Sequence, residues 1–140
     1  MAFSLIRKFN LCIGIEFLEN LTKLSIDMKK NYDKNIENFF NSYKNLFDNF
    51  NKVNNLIFIH GDFLKENWKD ASILLMNSTC FTQDLVDKIT IKAINECKSG
   101  TIIISFTKKL WDLGNDWECN NGFKRLMSWG IATVYVHRKK

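Results

Sequence analysis

No proline occurs in the 140 residues, glycine is confined to six positions, and no apolar run approaches the roughly 20 residues that a membrane-spanning helix requires. The missing proline goes with heavy use of Asn, Lys, Ile and Phe, reads as a compositional bias, and carries no function. Met1 to Phe9 lacks the long apolar stretch and small-residue cleavage site of a signal peptide, so a soluble intracellular protein is expected. Four cysteines, Cys12, Cys80, Cys97 and Cys119, form no Cys-x-x-Cys pair and have no close His partner. That spacing speaks against zinc and against a disulfide framework; the thiols read as free and mostly buried, and no metal site is expected. Apolar material, by contrast, is not scarce: 46% hydrophobic and 14% aromatic residues support a core in one small domain and exclude disorder.

The formal net charge is +5, and the surplus is uneven. Residues 1–70 carry ten basic against nine acidic side chains, residues 71–140 ten against six. Lys108, Lys109, Lys124, Arg125, Arg138, Lys139 and Lys140 hold most of the excess. They suit an acidic partner such as nucleic acid or chromatin, although a solvated basic tail accounts for the charge equally well.

Apolar runs and amphipathic stretches alternate along the chain. Leu11 to Phe17 suits a buried strand ending on the carboxylate Glu16. Leu18 to about Tyr32 reads as a helix with Leu18, Leu21, Leu24, Ile26 and Met28 on or near one face, followed by a second helix whose stripe is Ile36, Phe39, Phe40, Tyr43, Leu46, Phe47 and Phe50. Leu56–Ile59 and Ala71–Met76 read as strands that end in His60-Gly61-Asp62 and Asn77-Ser78-Thr79. Gln83 to Cys97 fits a helix capped by Thr82, with Leu85, Ile89, Ala93 and Ile94 inward, and Thr101–Phe106 fits a further strand. Phe123–Ser128 and Ala132–His137, separated by Trp129-Gly130, resemble a closing antiparallel pair. The order predicts an α/β fold in one domain, with a mainly parallel sheet and a C-terminal antiparallel hairpin.

Ligands of open parallel sheets lie beyond the carboxyl ends of the strands. Glu16, Asp62 with Phe63, Asn77 and Thr107 stand at such ends. A carboxylate where Glu16 stands suits the two hydroxyls of a ribose. Capping of the following helix explains the same residue as well.

Four blocks carry a family resemblance: Gly14-Ile15-Glu16; Gly61-Asp62-Phe63-Leu64 with Glu66 and Trp68; Met76 to Phe81; and Met127-Ser128-Trp129-Gly130 through Val134-Tyr135-Val136-His137. They resemble the class I S-adenosylmethionine-dependent methyltransferases, and among them the catalytic domain of Dot1-type histone-lysine methyltransferases. The resemblance implies S-adenosylmethionine as cofactor, Glu16 as the ribose acceptor, Asp62 as acceptor for the adenine amino group, and Phe63 flanking the ring. It implies that Asn77 lies with the cofactor and orients the target nitrogen, and that Phe81, Trp129 and Tyr135 wall the lysine stem. His60 and His137 read as satisfied strand residues, and Cys80 lacks a placed base for nucleophilic chemistry.

The glycine loop of that family, Asp-x-Gly-x-Gly, is absent from the sequence. Met1 to Phe9 reads as the last turns of the helix following it, so the chain is expected to be a partial methyltransferase domain lacking the first strand. Asn31 to Asn55 has no counterpart, and residues 32–54 read as an inserted helical segment. The Asn77 loop reads Asn-Ser-Thr-Cys-Phe, where Dot1 enzymes tend toward Asn-Asn-Phe-x-Phe. The resemblance therefore implies methyl transfer to a protein lysine, histone foremost, with a nuclear location if the substrate is a histone and a cytoplasmic one otherwise. An inactive Rossmann-like module that binds chromatin or another acidic partner is the alternative, and an RNA-base or small-molecule methyltransferase is a third.

Overall fold

The computed structural model describes residues 9–43 and 55–140 and divides into two compact units, Met1–Glu66 and Asn67–Lys140. In the first, β1 (Cys12–Glu16) and β2 (Leu56–His60) pair in parallel, from Cys12 opposite Leu56 to Glu16 opposite His60. A parallel pair needs a long crossover. Here it contains α1 (Glu19–Tyr43), which lies against both strands. Gly14 is opposite Phe58, and a Cβ on it would stand 2.6 Å from Cδ1 of the Phe58 ring. The glycine of the Gly-Ile-Glu block is thus required by packing within the sheet.

Helix α1 runs unbroken through the boundary expected near Tyr32. No glycine or proline interrupts 32–36, and the Lys29–Asp33 ion pair bridges the turn before it. Residues 32–43 of the expected inserted segment thus continue the first helix. Leu46, Phe47 and Phe50 lie outside the described residues, as does most of the helix end expected at Met1 to Phe9. The inward stripe of α1 is Thr22, Ser25, Lys29, Tyr32 and Ile36, at spacings of three and four, with Thr22 and Ile36 each 4% exposed. Leu18, Leu21, Leu24, Ile26 and Met28 are exposed. A single helix over two strands buries one stripe, and it is not the most apolar one.

In the second unit, β3 (Ile73–Met76) and β4 (Ile102–Phe106) are parallel and joined through α2 (Gln83–Glu96). β7 (Gly130–Lys139) runs antiparallel beside β4, and its other edge takes β5 (Trp117–Cys119) and β6 (Phe123–Met127). The sheet order is β3-β4-β7-β5, with β6 also on β7. The fold is therefore α/β, with one parallel pair in each unit, β1 with β2 and β3 with β4, and antiparallel pairing in the last three strands. The closing pair is the expected hairpin; β5 is a strand that the sequence pattern did not announce.

Between β5 and β6, Asn120, Asn121 and Gly122 stand against only Tyr135 and Val136 of β7. One extra residue on one strand is a β-bulge, and Gly122 takes its left-handed position at φ 78°. Oδ1 of Asn120 accepts from Val136 N at 2.9 Å and from Gly122 N at 3.3 Å, which satisfies the backbone donors at the bulge. Tyr135 lies over Gly122: a Cβ there would be 2.6 Å from its Cε1.

Helix α2 begins as expected, with the Thr82 side chain accepting from Leu85 N at 3.3 Å, and ends at Cys97. Its buried line is Val86, Ile89, Thr90, Ala93 and Cys97. Ile94, expected inward, is 39% exposed, because it lies one residue around the helix from Ala93. Trp68 is buried at the end of α2, where its backbone N–H donates to Oε2 of Glu96 at 2.9 Å and the ammonium of Lys92 lies 5.2 Å from its ring. Its position in the Gly-Asp-Phe block thus has a packing role.

Candidate functional site

Adjacent parallel strands bring Glu16 and Asp62 to one end of the first unit. Glu16 closes β1, and its carbonyl accepts from Gly61 N at 3.0 Å, directly before Asp62. Oε1 of Glu16 accepts from Leu18 N at 2.9 Å at the entry to α1, so the capping role is real. Asp62 shapes its own turn: Oδ1 accepts from Leu64 N at 2.9 Å and its carbonyl from Lys65 N at 2.8 Å. Each carboxylate keeps a second oxygen, both residues are half-buried, and neither forms an ion pair among the described residues. Two acceptors without a cation suit hydroxyl and amino donors, the chemistry of an adenosine edge. Phe63 follows Asp62 and is half-buried. The residues present thus fit the adenosine half of S-adenosylmethionine; for its methionine half the sequence offers no Asp-x-Gly-x-Gly.

In the second unit, Asn77 leaves β3 beside the end of β4. Asn77 is exposed, and its Oδ1 accepts from Oγ1 of Thr79 at 3.1 Å. Thr79 Oγ1 also lies 3.2 Å from Oγ1 of Thr107, the residue after β4. Buried Ser78 donates to the Phe106 carbonyl at 2.7 Å, tying the loop after β3 to the end of β4. Phe81 N donates to Ser78 O at 3.1 Å, which turns the chain toward α2. Among the described residues, the side-chain hydrogen bonds of this site are made by amide and hydroxyl groups and by no carboxylate, which suits orienting a neutral nucleophile more than removing a proton.

The aromatic candidates divide. Trp129, at the hairpin tip, is 55% exposed and meets Phe106 edge-on at a centroid distance of 6.4 Å. Tyr135 is half-buried, packed over Gly122 and 6.4 Å from the His137 ring. Phe81 is half-buried in its loop. Phe106 and Thr79 were not anticipated as site residues. Their signal was present in the density of hydroxyl residues at two neighbouring strand ends, Ser78-Thr79 and Ser105-Phe106-Thr107.

Neither histidine is placed as a base. His137 is fully buried, with Nε2 accepting from Leu110 N at 3.2 Å, and burial holds its pKa below the ordinary imidazole value. His60 contacts the Phe17 carbonyl through Nε2 at 3.0 Å. Cys97 is buried, Cys12 and Cys119 are half-buried, and burial pushes all three thiols up; Cys80, in the loop after β3, is exposed. Among the described residues, no cluster of His, Cys, Asp or Glu is arranged to hold a metal ion, and no helix is long and apolar enough to cross a membrane.

A family model described as histone methylation protein DOT1 matches residues 1–126. The fold is similar to that of an RNA methyltransferase from Salinibacter ruber, solved with S-adenosyl-L-homocysteine, at a TM-score of 0.57 and 14% identity over 91% of this chain. The chain spans 63% of that enzyme's length. It is similar also to a putative methylase from Haemophilus influenzae, at a TM-score of 0.57 and 14% identity, covering 93% of this chain and 73% of the other. No curated protein matches the sequence.

Proposed function

The chain belongs to the family of the histone methylation protein DOT1, and from that premise we propose that it transfers a methyl group from S-adenosylmethionine to the amine of a protein lysine, a histone lysine foremost. When bound, the cofactor supplies an electrophilic methyl group on its sulfonium. Glu16 and Asp62 hold the adenosine end through their remaining carboxylate oxygens, and Phe63 flanks the base.

The observation that carries the reading is Asn77: an exposed amide at the end of a parallel strand, with its oxygen accepting from the Thr79 hydroxyl. An amine already neutral needs an acceptor to orient its N–H bonds and a direction of approach, not proton abstraction at the moment of attack. Trp129 against Phe106 forms an apolar surface suited to a lysine stem. A nuclear location accompanies a histone substrate.

A second reading, an inactive module that docks an acidic partner, has one observation in its favour. Lys124 and Arg125 are exposed on β6 without a carboxylate partner among the described residues. Methyl-labelled S-adenosylmethionine offered with nucleosomes, free histones and RNA separates these readings. Label recovered as Nε-methyllysine supports lysine transfer, label in RNA supports the RNA-base alternative, and salt-sensitive nucleosome binding without label supports the inactive module.

A further inference from the structure

Two non-glycine residues among those described have positive φ, Thr107 at 68° and Asp112 at 57°. Thr107 is the β-branched one, for which the left-handed region is an outlier. Lys108 N donates across it to Phe106 O at 2.7 Å, closing a three-residue turn of the rarer, strained hand. The turn is clamped on every side. Ser78 Oγ donates to the same Phe106 carbonyl at 2.7 Å, Ser105 Oγ to Lys108 O at 2.7 Å, and Thr107 N to Thr133 O at 2.7 Å. Ser78 is 2% exposed and Ser105 fully buried, so the clamp is not a surface accident.

The consequence of this strained turn is the placement of one hydroxyl. Thr107 Oγ1 stands 3.2 Å from Thr79 Oγ1, and Thr79 donates to Asn77 Oδ1 at 3.1 Å. Because the single proton of Thr79 is directed at Asn77, the hydroxyl pair has one polarity: Thr107 donates to Thr79. The two hydroxyls form a relay ending on the Asn77 amide oxygen at the strand end.

We propose that Thr79 and Thr107 are positioning residues for the methyl-transfer reaction, and that the hydroxyl relay fixes the Asn77 amide so that the second lone pair of Oδ1 points at the target amine. The inference rests on the amine-methylation reading of Asn77. An amide without the relay rotates about its last torsion, and misdirection of an orienting group lowers turnover without changing cofactor affinity. A turn that was merely tolerated would make Thr107→Gly both stabilising and harmless. A turn that serves the site makes the same substitution stabilising and slow.

The test uses the full 140-residue chain with labelled S-adenosylmethionine and recombinant nucleosomes as the probe. Thr79→Val and Thr107→Gly are expected to lower kcat by about tenfold or more with KM for the cofactor unchanged. Thr79→Ser and Thr107→Ser are expected to keep kcat near that of the unsubstituted chain, and Thr107→Gly to raise the thermal midpoint. Full kcat in Thr79→Val, with Asn77→Ala inactive, overturns the relay and leaves the role of Asn77 standing. No transfer by the unsubstituted chain overturns both. A readout free of activity is the Asn77 side-chain NH2 signal in nitrogen-15 NMR. The relay predicts faster amide motion in Thr79→Val than in Thr79→Ser, and equal motion in both overturns it.

Discussion

The backbone N–H of Leu110 donates to Nε2 of His137 at 3.2 Å, in a site where the imidazole has no solvent exposure. Since Nε2 accepts, the proton resides on Nδ1, which faces the Ile103 carbonyl at 3.4 Å. This neutral ring ties the segment after β4 to the sheet. Desolvation, opposed by the Ile103 carbonyl and aided by Lys109, places the folded-state pKa below that of the unfolded chain. Between those two values the unfolded chain binds more protons, so stability rises with pH through the window and is complete above the unfolded pKa of about 6.5. The thermal midpoint is expected to fall on acidification from pH 7 toward pH 5, and less steeply in His137→Gln. His137→Ala, which leaves the Leu110 donor unpaired, is expected to cost about 1–3 kcal/mol in a denaturant titration at pH 7.

Gly14→Ala places a methyl group 2.6 Å from the Phe58 ring. Overpacking of this kind costs about 1–3 kcal/mol. The midpoint is expected to fall, and Phe58→Leu in the same chain to restore part of the loss; independent, additive losses would contradict the contact.

Gly122→Ala meets two obstacles, a φ of 78° and the Tyr135 ring 2.6 Å from the new Cβ. Gly100→Ala meets only the first, with φ 87° and open space around it. Denaturation should therefore show Gly122→Ala as the more destabilising of the two.

Thr82→Ala removes the acceptor for Leu85 N at the start of α2 and is expected to cost about 0.5–2 kcal/mol. Thr82→Ser is expected to retain the difference, and denaturant titration of both variants checks it.

Much of the second unit was legible because its signals are local. Thr82 is a cap followed by an amphipathic run, and the Trp129-Gly130 turn lies between two strand-like stretches. β5 was not legible: three residues, Trp117 to Cys119, take their strand geometry from pairing with His137 to Lys139, which lie some 20 positions away in sequence. Helix α1 was legible as a helix and misread as to its buried face. Its apolar residues at 18, 21, 24 and 28 suggested an inward stripe, whereas the sheet covers the line through Thr22 and Ile36. Glu16, Asp62 and Asn77 stand at or just after strand ends, as the pattern placed them, because strand ends are readable. The hydroxyl residues at the two strand ends were visible in the sequence, but the contact of Thr79 with Thr107 was not, since it depends on a positive φ at a threonine.

Calorimetric titration of the 140-residue protein with S-adenosyl-L-homocysteine decides whether the chain holds S-adenosylmethionine through Glu16 and Asp62, as proposed above. One-to-one binding is expected, weakened about tenfold or more in Asp62→Asn and in Glu16→Gln, each of which leaves a side-chain oxygen for the local backbone contact. Absence of binding by the unsubstituted chain, or equal affinity in both variants and the parent, would contradict it.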